Sequence, residues 1–534
     1  MMNASSGLNT ATGGSFFGAS TTITFLSTRC RATGANLLPP GPGPQNNSVG
    51  SGPLLALDKC PHLLVKYTTD QSSPATSATA KHYSAPFEIS ASTTIRALIS
   101  VSGVDRALIH SATFTKRWAG KTDDDVDPNT MRLVLMPSLA KSKGAVCLDG
   151  SPGGFYWRPA TDPAHANDWL FHFKGAGWCY DEADCLSRSK MGFGSSNFWT
   201  NTTNGWSGGI LSPADKDFGA FNKVILLYCD GASFTGDRAE PLSVQDQDGG
   251  TSLLYFRGLR ILHAVIETLQ GKEFGLTKAK TVLLTGCSSG GLATYLHQDA
   301  LAARLRSIAP GIAKLRSAPV SGFFLQHNSV DGLPVYQKQM SNIFKLSNSS
   351  GGVNQACIAD RPEDRHWECM FAQNSYNYTK IATFVENSAL DMWQTGCIFT
   401  AAPIAGFPNA ESSINGNCSA VPGWRACASN PENCTSTQMA TMNGYMDAFV
   451  GALNRSAPFH APGFGAFVHS CHDHCDGIAG GYPSFKIGGV TMQQATSKWW
   501  RSSGGDPAAA HTRLPCRYAL SSPHKCNPSC FDGR

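Results

Sequence analysis

At 534 residues the chain exceeds one average domain, and 41% hydrophobic residues are enough to fill a large core. The formal charge of +5 is spread without long basic runs, which excludes a nucleic-acid-binding face, and no run of about 18 apolar residues is present to cross a bilayer. The 18 cysteines lack a paired C-x-x-C zinc pattern and often sit among Gly, Asn and Pro, so they read as disulfides of an oxidising compartment. Sequons at Asn3, Asn46, Asn201, Asn348, Asn377, Asn417, Asn433 and Asn454 agree with export. The first twenty residues nevertheless lack the basic and then apolar regions of a secretory signal.

Residues 1–51 are rich in Ser, Thr, Gly, Asn and Pro and read as a flexible leader and linker. Over 52–116 the runs HLLVKYTT, PFEIS, TTIRALISV and RALIHSATF, separated by turn residues, predict a small β-sandwich. Residues 117–134 look like an interdomain linker, with Asp123, Asp124 and Asp125 on a solvated turn in preference to a calcium site. From 135 to 534 apolar strands alternate with helical patterns, which predicts an α/β domain with a central, mostly parallel sheet. Asp168–Lys174 and Lys223–Tyr228 read as strands, Phe256–Leu269 as a helix, and 345–370 and 405–435 as disulfide-stapled loops around a site mouth.

The chemistry centres on 281–299. Thr281–Thr285 is a β-leaning apolar run, Gly286-Cys287-Ser288-Ser289-Gly290 fits G-x-S-x-G, and helix-compatible residues follow. A nucleophile elbow needs that order, because the sharp turn lifts the serine hydroxyl above the sheet and sets a helix N-terminus beneath it. The motif is short enough to arise by chance, so the groups that follow it must decide. An orienting acid belongs just past a strand, where Asp391 lies after Ile381–Val385, whereas Asp299 and Asp447 lie in helical contexts and Asp360 and Asp364 in a charged loop. For the base, HSCHDHCDG offers His469, His472 and His474, and spacing does not choose between His472 and His474. A zinc site from these histidines with Cys471 and Cys475 is the weaker reading, since the cysteines serve better as disulfide partners that hold a catalytic histidine. Oxyanion donors are expected from Ser289 and the Gly175-Ala176-Gly177 turn.

From about Ala145 to Trp500 the chain resembles the pectin acetylesterase family, which includes the Wnt deacylase Notum. CLDGSPGGFYW (147–157), FKGAGWCYDEADC (173–185), YCDGASFTGD (228–237), GCSSGGLATYLHQD (286–299), ALDMWQ (389–394) and SCHDHC (470–475) carry the resemblance. It implies an α/β-hydrolase-like fold with Ser288 as nucleophile, Asp391 as orienting acid and His474 as base. It also implies an oxyanion hole from the N–H groups of Ala176, Gly177 and Ser289. Lys174 stands where the family usually has an acid, Ala176 where it has glycine, and Ser321 where plant members often have the aspartate of VDAGFF. The implied enzyme is secreted, monomeric and free of metal or organic cofactor, and it removes O-acetyl groups from a cell-wall polysaccharide. Its rivals are deacylation of a lipidated protein and catalytically silent glycan binding. The stretch from Tyr67 to Phe114 resembles the Ig-like module appended to chitobiases, which implies an accessory domain.

Overall fold

The computed structural model describes residues 129–245, 249–403 and 420–502, together with Cys418, residues 511–513 and 527–530, and strands and turns between residues 2 and 117. The chain divides into two compact units, Met1–Asp127 and Pro128–Arg534.

In the first unit, Gly13–Phe17, Val104–Arg117, Thr93–Val101, Leu63–Thr68 and Lys81–His82 form a five-stranded sheet in that order. A four-stranded sheet joins Met2–Ala4, Thr21–Ser27, Leu55–Ala56 and Phe87–Ile89. Three of these strands lie within residues 1–51, which corrects the expectation of an unstructured leader there. Gly13–Phe17 lies at the edge of its sheet, where a strand needs only a neighbour's free N–H and C=O groups, whereas the β-leaning run Thr21–Ser27 pairs with three other strands. Residues 118–128, with the acidic cluster Asp123–Asp125, lie outside the described residues. The expected linker ends early, because Met131–Leu135 already pairs into the sheet of the second unit.

That sheet is built from β1 (Met131–Leu135), β2 (Gly154–Arg158), β3 (Asp168–Phe173), β4 (Asn222–Leu226), β5 (Thr281–Cys287), β6 (Lys314–Val320), β7 (Phe384–Ser388) and β8 (Gly465–His469). Their spatial order is β1-β2-β4-β3-β5-β6-β7-β8, with Thr202–Thr203 and His511–Arg513 at the edges. The first two strands run antiparallel to their neighbours, and every pair from β4 to β8 is parallel. Strands buried on both faces read as continuous apolar runs, which is why segments such as TVLLT (281–285) predict them well.

Alternation along the strands divides the core in two. Trp169, Phe171, Phe173, Val224, Leu226, Val282 and Leu284 face α2 (Gly258–Leu269) and the far part of α3 (Ser289–Ile308). Leu170, Ile225, Leu283, Ala318, Phe384 and Phe467 face α5 (Met492–Arg501), through Ala495, Trp499 and Trp500. A third cluster, including Trp178, Phe323, Phe324, Tyr336, Met370 and Tyr445, packs the connections that follow the strands with α4 (Ser436–Arg455). Cys357–Cys369, Cys397–Cys418 and Cys427–Cys434 staple those insertions locally. Residues 404–417 lie outside the described part. The sequons at Asn201, Asn348, Asn377, Asn433 and Asn454 are all exposed, as a glycan would require.

Candidate active site

The elbow is where the sequence places it. β5 ends at Cys287, α3 begins at Ser289, and Ser288 between them has φ 62° and ψ −130°. That conformation costs a non-glycine residue roughly 1–3 kcal/mol and persists only where its surroundings fix it. Here the Ser288 N–H donates to Val320 O at 3.1 Å, and Leu292 N–H donates to Ser288 O at 2.9 Å. The turn is tight enough that a Cβ on Gly286 would strike Gly290 O, and one on Gly290 would strike Phe173 O. Only glycine allows β3, β5 and α3 to approach so closely.

β7 and β8 deliver the other groups. Asp391 follows β7, is 1% exposed, and caps the short helix Met392–Gln394 by accepting from Gln394 N–H through Oδ1 at 3.0 Å. Its Oδ2 lies 2.8 Å from His474 Nδ1, which leaves Nε2 as the nitrogen available for proton transfer. The two remaining histidines of the cluster are engaged elsewhere, His472 Nε2 with Thr395 Oγ1 at 3.1 Å and His469 Nε2 with Asp476 at 3.6 Å. His474 is thus the histidine that the structure joins to Asp391. The other acids are separate from it. Asp299 accepts from the N–H groups of Lys380 and Ile381, while Asp360, Asp364 and Asp447 are exposed.

Cys287–Cys475 links the residue before Ser288 to the residue after His474. A ring nitrogen of His474 lies within 4.8 Å of both sulfurs. Cys475 adopts φ 73°, and its N–H donates to Ser321 Oγ at 2.9 Å, so the disulfide and Ser321 together fix the loop that carries the base. Cys471 pairs with Cys530. Both cysteines of the alternative zinc reading are therefore consumed, and disulfide sulfur is no thiolate ligand, so the donor set does not fit zinc. His474 Nε2 is buried and makes no hydrogen bond among the described residues, with Ser288 or with any other group. Such contacts commonly close only when substrate is bound.

The expected oxyanion donors divide. Ala176 N–H already donates to Ser289 Oγ at 2.9 Å, so it is occupied. Gly177 N–H makes no such contact among the described residues, and its peptide is clamped from the other side by Arg188 Nη2, which donates to Ala176 O at 2.8 Å. Because a trans peptide sets its C=O and N–H in opposite directions, holding that carbonyl aims the Gly177 N–H away from Arg188. Ser289 N–H opens α3 and has no carbonyl one turn earlier to meet. Tyr228 OH donates to Gly177 O at 2.8 Å, Ser233 N–H to Tyr228 OH at 3.1 Å, and Ser233 Oγ to Ser289 O at 2.9 Å. One network therefore fixes the peptides that follow Gly177 and Ser289, each one residue beyond a free N–H group.

Sequence reasoning missed Arg188, Tyr228 and Ser233. Arg188 lies fully buried in α1 (Glu182–Ser189), which Cys179–Cys185 ties to the donor turn, and that C-x5-C spacing is the only hint of the contact. Burial raises the carboxyls of Asp184 and Asp230 to about 6, against the opposing pull of Arg188.

Comparison with known proteins fits this geometry. Residues 126–530 match the family model described as pectinacetylesterase, and residues 55–116 match one described as Fn3 associated. Pectin acetylesterase 11 of Arabidopsis thaliana is 30% identical over 399 residues, covering 73% of this chain and 90% of that protein. The palmitoleoyl-protein carboxylesterase NOTUM of Mus musculus is 28% identical over 257 residues, 46% of this chain and 48% of that protein. Among solved structures, the Wnt deacylase Notum from Drosophila superposes with a TM-score of 0.57 at 23% identity, covering 75% of this chain and 99% of that one. This likeness shows a shared α/β-hydrolase fold with a large, mixed, mostly parallel sheet.

Proposed function

We propose a function from one premise: the chain belongs to the pectinacetylesterase family and is a carboxylic ester hydrolase. It is exported and removes O-acetyl groups from a cell-wall polysaccharide, with Ser288 as nucleophile, His474 as base and Asp391 as orienting acid. The observation that carries this reading is the 2.8 Å contact between Asp391 Oδ2 and His474 Nδ1, on a loop bonded covalently to the elbow. His474 Nε2 takes the Ser288 proton as Oγ attacks the ester carbonyl, and Asp391 stabilises the imidazolium. The N–H groups of Gly177 and Ser289 receive the oxyanion, and Ala176 stands aside with its N–H on Ser289 Oγ. His474 then protonates the departing sugar hydroxyl, and water delivered by the same base releases acetate from Ser288.

A short acyl group suits the surroundings. Phe324 lies 6.4 Å from the His474 ring, and Trp178, Phe324, Tyr336 and Trp393 pack on one another at 5.1–6.4 Å between centroids. These rings occupy space that a long acyl chain beside the base would need. Acetyl and long-chain nitrophenyl esters, assayed with wild type and Ser288→Ala, test the reading. Acetyl ester turnover should dominate and fall at least 1,000-fold in the alanine variant, by analogy with nucleophile removal in serine hydrolases. Full activity in Ser288→Ala would refute the nucleophile, and preference for the long chain would favour deacylation of a lipidated protein.

A further inference from the structure

The rim of the sheet opposite Ser288 holds a second cleft. β5 and β6 run parallel, with Thr281 beside Lys314 and Cys287 beside Val320. Ser288 therefore follows the C-terminal rim, and Lys314 stands on the N-terminal one. The length of β6, roughly 20 Å along the strands, separates the two. A cleft of about 510 Å³ opens on the N-terminal rim, and its charged lining is entirely basic: Arg306, Lys314, Arg316, Lys380 and Arg501. These residues come from the last turn of α3, from β6, from the segment before β7 and from the end of α5. Arg316 is buried and Lys314 half-buried, while Arg306, Lys380 and Arg501 are exposed.

The end of α5 holds the inner pair. Arg316 Nη1 donates to Trp499 O and Nη2 to Ser502 O at 2.7 Å, while Lys314 Nζ donates to Trp500 O at 3.2 Å. Those carbonyls fix the two heads, yet a helix C-terminus offsets only about half a charge. Asp217 pairs with Arg501 at 2.6 Å, and among the described residues no carboxylate forms an ion pair with the other four cations. Asp168 and Asp299 act on Lys314 and Lys380 without lining the cleft. Asp168 is engaged with His165 Nδ1 at 2.8 Å, and Asp299 accepts from the N–H groups of Lys380 and Ile381. The lining thus keeps a net positive charge, and burial presses the pKa of Lys314 and Arg316 downward. An arriving anion lowers the cost of holding those charges together. Three exposed heads from separate elements suit a tetrahedral oxyanion, which offers an oxygen to each, better than a carboxylate whose two oxygens one guanidinium takes up. The volume also admits a sugar-sized body that carries the anion.

We propose that the cleft between the ends of α3 and α5, lined by Arg306, Lys314, Arg316, Lys380 and Arg501, binds a doubly charged tetrahedral oxyanion, free or carried on a sugar. This site is separate from the elbow and does not depend on the esterase reading. The test is titration calorimetry of the full chain at about pH 7.5, where inorganic phosphate and glucose 6-phosphate are both mostly doubly charged. At least one of these probes should bind saturably, and added salt should weaken the binding. Arg306→Met/Lys380→Met should weaken it roughly 100-fold, about tenfold for each charge-assisted hydrogen bond removed. The melting curve of that variant checks that it folds, and its ester turnover should match wild type. Ser288→Ala should bind both probes as wild type does. Glucose 6-phosphate binding at least tenfold tighter than inorganic phosphate assigns the sugar-borne group, and a smaller difference assigns the free ion. No saturable binding of either probe, or binding unmoved by the double variant, would overturn the proposal. So would competitive inhibition of ester hydrolysis by phosphate, because it would place the anion at Ser288.

Discussion

Replacing both Cys287 and Cys475 by alanine separates stability from catalysis at this site. The bond closes a sequence separation of 188 residues. Chain entropy sets its contribution at about 5 kcal/mol, and measured disulfides more often deliver 2–4 kcal/mol. A unit of roughly 400 residues melts with an entropy near 0.8 kcal/mol/K, so a loss of about 4 kcal/mol lowers Tm by about 5 °C. Catalysis should suffer more. Without the bond, His474 is held by Asp391, by the Ser321 contact to Cys475 N–H and by the flanking backbone, and a misplacement near 1 Å costs about 100-fold. The assay is acetyl ester hydrolysis well below Tm, alongside calorimetry, with Cys357→Ala/Cys369→Ala as the control. That pair closes a separation of only 12 residues and touches neither the elbow nor the His474 loop in sequence, so its removal should lower Tm while kcat holds. If the Cys287/Cys475 variant melts about 5 °C lower yet keeps wild-type kcat, the bond is a staple only, and its placing of the base is refuted.

Asp391→Asn should leave KM near wild type and reduce kcat by roughly 10,000-fold, because the amide favours the wrong imidazole tautomer; a loss below tenfold would deny Asp391 its role. Arg188→Lys should lower kcat about tenfold or more at similar KM, since an ammonium cannot reproduce the paired contacts to Ala176 O and Phe193 O. A pure KM effect would show that the clamp on the Gly177 peptide is irrelevant to the transition state. Glu386 lies 1% exposed under the catalytic loops, with Oε1 accepting from Thr496 and its pKa raised by burial to about 8. The folded state keeps a proton that the unfolded state has lost, so stability declines as pH rises from about 4.5 to about 8. Glu386→Gln should remove that decline, gaining roughly 3 kcal/mol at pH 7 and almost nothing below pH 4.5, as read from denaturation midpoints; a gain independent of pH would contradict the buried proton.

The elbow was legible because it is local: strand, turn and helix follow one another from Thr281 to Ile308, and their periodicities change at Ser288. The strands after it were legible for the same reason, and Asp391 could be placed by its position past β7. The choice of His474 over His472 depends on which ring meets Asp391 across 83 residues of sequence, and spacing holds no record of that. The occupied Ala176 N–H is likewise hidden, since its partner Ser289 lies 113 residues away. Within residues 1–51 composition misled, because the short β-leaning run Thr21–Ser27 is set among stretches rich in Gly, Ser, Asn and Pro.

The order in which the strands supply the site also sets a timetable. The donor turn after β3 and the serine after β5 are synthesised first, and the acid and base come from β7 and β8. At about 5–20 residues per second, the 188-residue separation of Cys287 and Cys475 takes roughly 10–40 s to translate. During that interval Ser288, the proposed nucleophile, lacks the proposed base His474. On the proposed roles, activity waits until the loop bearing His474 is made and Cys475 is oxidised onto Cys287.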